Sequence, residues 1–219
     1  MFLSSTQIAM LKSAILESVY MVTVSTFITS LAGILLGVLL VTSRPGHILE
    51  NRLTHWALGA LINATRSVPF PIFIVFIIPL TRLIVGSSIG STAVIVPLTL
   101  AAIVFMARLV ETSLSEVPPG VIEAAQVVGA SNWQIIWHVL LPEARPGLIM
   151  AVTITIITLI SYSAMAGAVG GGGLGDLAIR YGYQRYQTNI MFITVLILLI
   201  FVQSIQYLGD RLVRWVTRL

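Results

Sequence analysis

Residue types that usually carry enzyme chemistry are scarce in this chain. The sequence has no cysteine and three histidines, so a thiol nucleophile and a zinc–thiolate site are both excluded. The histidines, His47, His55 and His138, lack the spacing of metal ligands, and we expect no metal site. A P-loop is also missing, so we do not expect this chain to hydrolyse ATP itself.

A glycine run at residues 170–175 contains the GxGxxG spacing of a dinucleotide-binding turn. Such a turn needs a preceding strand and an acidic residue about 20 positions later. No acidic residue occurs between Asp176 and Asp210, and the run follows a long apolar segment. We therefore interpret it as a flexible external turn, in which Asp176, Arg180 and Arg185 make polar contacts.

The most informative pattern lies in the polar segment 108–145. Prolines suited to a first helical turn, a glycine suited to a left-handed cap, a capping box and a final proline mark the helix boundaries: Pro118, Pro119, Gly129, Ser131, Gln134 and Pro142. These signals predict two short helices that meet at Gly129, the second of which ends before Pro142.

Both short helices carry more apolar residues than a solvated loop needs. The two apolar faces are Val121, Ala125 and Val128 on the first helix and Ile136, Val139 and Leu140 on the second. Such faces favour docking into a hydrophobic cleft of a partner. The alternative is that they pack beneath the bundle of their own chain.

Composition identifies the elements that must position this segment. Charged residues make up 9% of the chain and hydrophobic residues 57%, whereas a typical soluble domain is about 25% charged. A water-soluble globule of this size cannot hide so much apolar surface. The composition excludes a soluble enzyme, a disordered chain and a disulfide-stapled module, and it indicates an all-α integral membrane protein.

Long uncharged runs predict five transmembrane helices in a single transmembrane domain, residues 1–219. We place the spans at about 14–42, 56–80, 88–110, 146–168 and 188–210, with the segment 115–142 between the third and fourth. The second span contains Arg66, which we place near one membrane face.

The distribution of basic residues predicts the orientation of the termini. With the N-terminus outside and the C-terminus in the cytoplasm, eight basic residues lie inside and four outside. The inner set is Arg44, Arg52, Arg66, Arg108, Arg145, Arg211, Arg214 and Arg218, and the outer set is Lys12, Arg82, Arg180 and Arg185. The segment 108–145 then faces the cytoplasm. Because the basic residues are scattered, we expect no nucleic-acid partner.

The polar segment resembles the EAA loop of ABC-importer permeases. The matching residues, in order and at the family's spacing, are Glu123, Ala124, Ala125, Gly129, Val139, Leu141 and Pro142. The family usually has isoleucine where Val139 stands. The resemblance implies a type I importer permease fold whose loop couples to a separate cytoplasmic ATPase.

Further stretches are similar to the methionine-uptake ABC permease family: residues 66–70, 79–90, 105–111, 157–183 and 209–214. The resemblance implies a homodimer in a bacterial inner membrane, with two ATPase subunits that bind the ATP and no cofactor of its own. It also implies that an external substrate-binding lipoprotein delivers L- and D-methionine.

Small and hydroxyl residues in the fourth span are suited to line a narrow path for a zwitterionic solute. They are Ser161, Tyr162 and Ser163, with the flexible thioether of Met165 beside them. The resemblance places Met165 in a region that forms the closed gate, and our hypothesis is that two copies meet at the pore axis. The alternative is that Met165 packs between helices.

Three other functions stay open at this point. The nearest keeps the import mechanism and changes the solute to another amino acid or small nutrient. A second is a channel or secondary carrier that works alone, which the scarcity of ionisable residues within the spans disfavours. A membrane-embedded enzyme is the weakest alternative.

Overall fold

The computed structural model describes residues 4–217, and within that range it contains helices and no strand. The α-helices, numbered in chain order, are α1 Ser5–Thr42, α2 Arg52–Arg66, α3 Phe70–Phe76, α4 Ile78–Val85, α5 Ser91–Ser115, α6 Pro119–Val127, α7 Asn132–Ile135, α8 Leu141–Glu143, α9 Arg145–Ala166, α10 Gly173–Leu177 and α11 Thr188–Thr217. Wide π-turns cover Ile136–Leu140 and Ala178–Tyr183, and a 3-10 turn covers Gly167–Val169. Arg218, counted above among the inner basic residues, lies outside the described part.

Four of these helices are long and apolar enough to cross a membrane: α1, α5, α9 with its 3-10 turn, and α11. They contain most of the predicted first, third, fourth and fifth spans. Helix α1 begins earlier than the predicted residue 14, because Ser4 and Gln7 form a capping box at its start. At 1.5 Å per residue its 38 residues extend about 57 Å, well beyond the hydrocarbon core.

The predicted second span is not one continuous helix but a bent pair of helices. Helices α2 and α3 are bent by 103° relative to each other and together could form a fifth, broken span. The break at residues 67–69 ends on Pro69, which has an extended backbone (φ −58°, ψ 137°). A proline disfavours helical backbone at the residue before it, so the helix that starts at Arg52 cannot continue.

Helices α1 and α5 pack closely against each other. A Cβ atom on Gly33 would lie 2.9 Å from Cβ of Met106, and one on Gly37 would lie 2.5 Å from Cβ of Val110. The GxxxG spacing of these glycines therefore allows the two helices to approach closely. Because α5 leads directly into the polar segment, this pair provides a rigid support above it.

The glycine run is packed against the bundle, with Gly171 and Gly173 buried, so the flexibility that we expected of this turn is wrong. Gly172 and Gly173 have positive φ values of 76° and 73°, which glycine adopts without steric cost. This backbone lets Gly173 N–H donate to Oε2 of Glu17 at 2.7 Å and Leu174 N–H donate to Oγ of Ser18 at 2.9 Å. Helix α1 thus caps the start of α10.

The polar residues expected beside the glycine run do make contacts. Asp176 is buried and forms an ion pair with Arg180. The guanidinium of Arg185 lies 4.6 Å from the centre of the Tyr181 ring, within the range of a cation–π interaction. These contacts tie the segment between α10 and α11 together.

Candidate functional site

The two short helices α6 and α7 meet at Gly129, as the sequence predicts. Gly129 has φ +82°, its N–H donates to Gln126 O at 2.9 Å, and Ala130 N–H donates to Ala125 O at 3.0 Å. This is the left-handed cap expected of a helix C-terminus. The predicted capping box of Ser131 and Gln134 then starts α7. We call residues 115–142 the coupling segment.

The surface of the coupling segment that faces away from the bundle exposes large apolar side chains. Val127 and Val128 are 86% and 83% exposed, and Trp133 is 67% exposed. The rings of Trp133 and Trp137 meet edge to face at 5.6 Å. Glu123 and Ala124 are exposed on the preceding helix. We call the junction of α6 and α7 around Gly129 the elbow. It presents an apolar surface with the acidic side chain of Glu123 beside it, which is suited to a protein partner.

The inner surface of the coupling segment packs against its own bundle. Ile136 and Leu140 are buried with Leu114 of α5, so the second predicted docking face follows the alternative of packing beneath the bundle. Ala125, Val139 and Leu141 are partly buried against the same cluster. Of the residues that match the EAA pattern, Glu123, Ala124 and Gly129 are exposed and the others face inward or lie at the boundary.

Helical backbone does not stop before Pro142, although α7 itself ends at Ile135, and the predicted stop is therefore wrong. After α7 the chain continues through the π-turn Ile136–Leu140 into α8, Leu141–Glu143. Pro142 lies in the first turn of α8, where a missing N–H leaves no helical hydrogen bond unmade. The preference against helical backbone before a proline does not predict the wider π-turn that precedes Pro142 here.

The loop 43–51 joins the coupling segment to the bundle. Nδ2 of Asn132 donates to Ile48 O at 2.9 Å. A polar cavity of about 320 Å³ lies between this loop and α6, with Arg44, His47 and Glu123 among its lining residues. Burial and the positive charge of Arg44 lower the pKa of His47 and so favour the neutral imidazole.

An ion-pair cluster around the buried carboxylate of Glu111 lies next to the coupling segment. Arg108 and Glu111, three positions apart on α5, form one of its pairs, with Nη1 of Arg108 2.5 Å from Oε2. Nη2 of Arg44 lies 2.6 Å from the other carboxylate oxygen. The sequence does not predict this second pair, because Arg44 and Glu111 are far apart along the chain. The one indication in the sequence is that Arg44 and Arg108 are both assigned to the inner membrane face. Arg66 and Arg145, also placed near that face, are exposed.

The predicted path residues do not all share one face of α9. Met165 is 48% exposed, and Ser161 lies one turn earlier on the same exposed face. Tyr162 stacks on Phe70 with ring centres 4.2 Å apart. Ser163 is buried, donates to Ile160 O, and borders a different, apolar groove between α1, α9 and α11. The structure thus brings together Ser161 and Met165, with Tyr162 behind them, and separates Ser163.

Relatives of known name match nearly the whole chain. A probable D-methionine transport system permease protein, MetI, of Vibrio cholerae is 55% identical over 205 residues, which is 94% of this chain and 91% of the relative. The D-methionine transport system permease protein MetI of Escherichia coli K12 is 48% identical over 202 residues, or 92% and 93% of the two chains.

Solved structures and a family description agree with these relatives. A chain of the MetNI methionine ABC transporter in an inward-facing conformation superposes with a TM-score of 0.95 at 48% identity, covering 98% of this chain and 99% of that one. An amino acid ABC transporter with histidines, at 16% identity and a TM-score of 0.77, shares the fold. The family described as the inner membrane component of binding-protein-dependent transport systems matches residues 30–218. With its helical bundle, broken second span and exposed elbow, the chain belongs to this family of importer permeases.

Proposed function

We propose that this chain is the permease subunit of an ATP-driven methionine importer and forms the membrane path for L- and D-methionine. The relatives named as D-methionine permeases and the similarity to the MetNI transporter chain support the substrate. The observation that carries the mechanism is the elbow at Gly129, where Val127, Val128 and Trp133 are exposed. A surface of this kind needs a partner, and a cytoplasmic ABC ATPase fits it.

The proposed assembly contains two copies of this chain, two ATPase subunits that bind the ATP, and an external substrate-binding lipoprotein. One coupling segment per chain and two ATPases per transporter support the dimer. Closure of the ATPases on ATP would draw the two coupling segments together and open the path outward. The solute would then enter from the binding protein, and hydrolysis would return the path to its inward-facing form.

The proposed orientation has the N-terminus outside a bacterial inner membrane and the C-terminus in the cytoplasm. It rests on the excess of basic residues on one side. The ion-pair cluster and the coupling segment then lie at the cytoplasmic face. The packed glycine run and α10 lie at the outer face, where the binding protein would dock.

The function is tested by uptake of labelled methionine into proteoliposomes that contain this chain, the ATPase and the binding protein. We expect ATP-dependent uptake of methionine above that of other amino acids. Glu123→Lys should reduce both ATPase co-purification and uptake by roughly tenfold or more, because it reverses an exposed charge at the proposed contact.

Glu116→Lys is the matched control, since Glu116 is also exposed but precedes the elbow. The control should retain the ATPase and most of the uptake. Normal ATPase binding and uptake in Glu123→Lys would contradict the assignment of the coupling segment. Equal uptake of an unrelated amino acid would instead favour the same import mechanism with another solute.

The gate is proposed at Met165, whose exposed thioether lies on the same face of α9 as Ser161. Two such side chains at the dimer axis would form an apolar constriction that excludes water and solute. Met165→Ala should therefore raise the ATP-independent leak of methionine from loaded proteoliposomes several-fold.

Met150→Ala is the control for this measurement, since it removes the same side chain at a half-buried position on the same helix. Its leak should equal that of the unmodified chain. If Met165→Ala folds normally and leaks no faster than this control, Met165 is a packing residue and the gate lies elsewhere.

A further inference from the structure

We propose that Glu111 is a positioning residue that transmits movement of the coupling segment to the gate-bearing helix α9. This inference rests on the proposed function and adds a route by which the ATPases act on the path. It is carried by the ion-pair cluster around Glu111 and by the contacts that continue from that cluster in both directions.

Glu111 joins three separate segments of the chain. It is 5% exposed, and each of its carboxylate oxygens accepts from a different arginine, Arg44 after α1 and Arg108 on α5. Arg108 also donates to Oδ1 of Asn63 on α2 at 2.8 Å. The loop 43–51, α5 and α2 are thus held by one buried carboxylate.

A cluster of this kind is a costly way to stabilise a fold. Removing charges from solvent carries a large desolvation penalty, and apolar residues of similar size often stabilise a core as well or better. What the ion pairs supply is directional contact, because each arginine must point at one oxygen. We therefore assign the cluster a role in holding these segments in a fixed geometry.

The lower end of the route begins at the elbow. Asn132 at the start of α7 donates to Ile48 O in the loop 43–51, and Ile48 packs against the same apolar cluster as Ile136. A displacement of the elbow must therefore move this loop. Arg44 belongs to the same loop and passes that displacement to Glu111.

The upper end of the route reaches α9. Arg108 holds α2 at Asn63, and α2 ends at the 103° bend before α3. The first residue of α3, Phe70, stacks on Tyr162 with the ring planes 1° apart. Tyr162 lies three residues before Met165, so a change of the angle between α2 and α3 would displace the part of α9 that carries Met165.

The test measures methionine transported per ATP hydrolysed in the complete complex. Glu111→Gln keeps the size of the side chain and removes its charge. We expect this ratio to fall roughly two- to thirty-fold, which is the fold-change that corresponds to typical coupling energies of residues that link two sites. ATPase co-purification and ATP hydrolysis should stay close to normal. Glu111→Asp, which keeps the charge, should restore much of the ratio.

Asp210→Asn is the matched control, because Asp210 lies on α11, outside the proposed route, and its carboxylate accepts from Gln206 and not from an arginine of the cluster. It should leave the ratio unchanged. An unchanged ratio in Glu111→Gln would overturn the proposal, as would an equal fall in Asp210→Asn. If the unmodified complex shows no ATP-dependent uptake, the proposed function itself fails.

Asn63→Ala provides a second variant in case Glu111→Gln does not assemble. It removes the shorter of the two hydrogen bonds from Arg108 to α2, at an exposed position. The longer bond to Gly59 O, at 3.4 Å, and the buried carboxylate stay intact. A lower ratio with normal assembly supports the route through α2. A normal ratio shows that the cluster only stabilises the fold, and the proposal is then wrong.

Discussion

Replacing Gly175 with alanine is expected to prevent accumulation of the folded chain in the membrane. The new Cβ would press against Ala164 O and lie 2.5 Å from Cα of Ala164. Both are backbone atoms of α9, so no side chain can move aside to make room. Overpacking of a closed core typically costs about 1–3 kcal/mol and occasionally more, and a clash between two backbones belongs at the upper end.

Gly167, at the end of α9, lies equally close to the backbone of α10. A Cβ on Gly167 would lie 2.9 Å from Cα of Asp176 and closer still to its amide nitrogen. Gly167→Ala should therefore show the same loss as Gly175→Ala. The 3-10 turn after α9 and the start of α10 approach each other as bare backbone, and this approach sets the position of the C-terminal end of α9.

The measurement is the yield and thermal unfolding midpoint of detergent-solubilised protein. Gly120→Ala is the control, since a Cβ at that helical position would meet nothing within 4 Å and alanine favours helix by about 1 kcal/mol over glycine. It should be neutral or slightly stabilising. Normal yield and midpoint for Gly175→Ala would contradict the close approach described here.

Substitutions of Gly129 should reduce transport in a graded order, with asparagine mildest, alanine intermediate and valine most severe. Gly129 has φ +82° and open space around its Cβ position, so the cost comes from the backbone alone. Left-handed backbone costs about 1–2 kcal/mol for ordinary residues, while asparagine visits it more easily. A β-branched residue is the least tolerant of positive φ.

Because the strain is confined to the elbow, these variants should insert and fold. The variants should lose the relative orientation of α6 and α7, and therefore the proposed binding of the ATPase. We expect Gly129→Val to lose most ATPase co-purification and methionine uptake. The two readouts should fall together across the series.

Gly86→Val is the matched control for backbone strain. Gly86 ends α4 with φ +81°, and it too has open space around its Cβ position. Its valine variant should carry the same local cost yet retain the ATPase. If Gly129→Val transports at the normal rate, or if Gly86→Val loses the ATPase equally, the elbow does not depend on its left-handed cap.

Local patterns in the sequence were enough to predict the class of the protein and the form of the coupling segment. Low charge and long apolar runs indicated the membrane-spanning helices, because a chain in lipid must satisfy its backbone within helices. The cap at Gly129 and the capping box at Ser131 were confirmed because each depends on residues within a few positions.

Contacts between distant segments were decided by the tertiary structure. The packing of the glycine run depends on Glu17 and Ser18, which lie on another helix. Arg44 joins Glu111 because α1 and α5 lie side by side. Ser163 is separated from Ser161 and Met165 because its face of α9 turns toward α1. Helical periodicity assigns residues to faces, but the partner of each face depends on long-range packing, which no local pattern encodes.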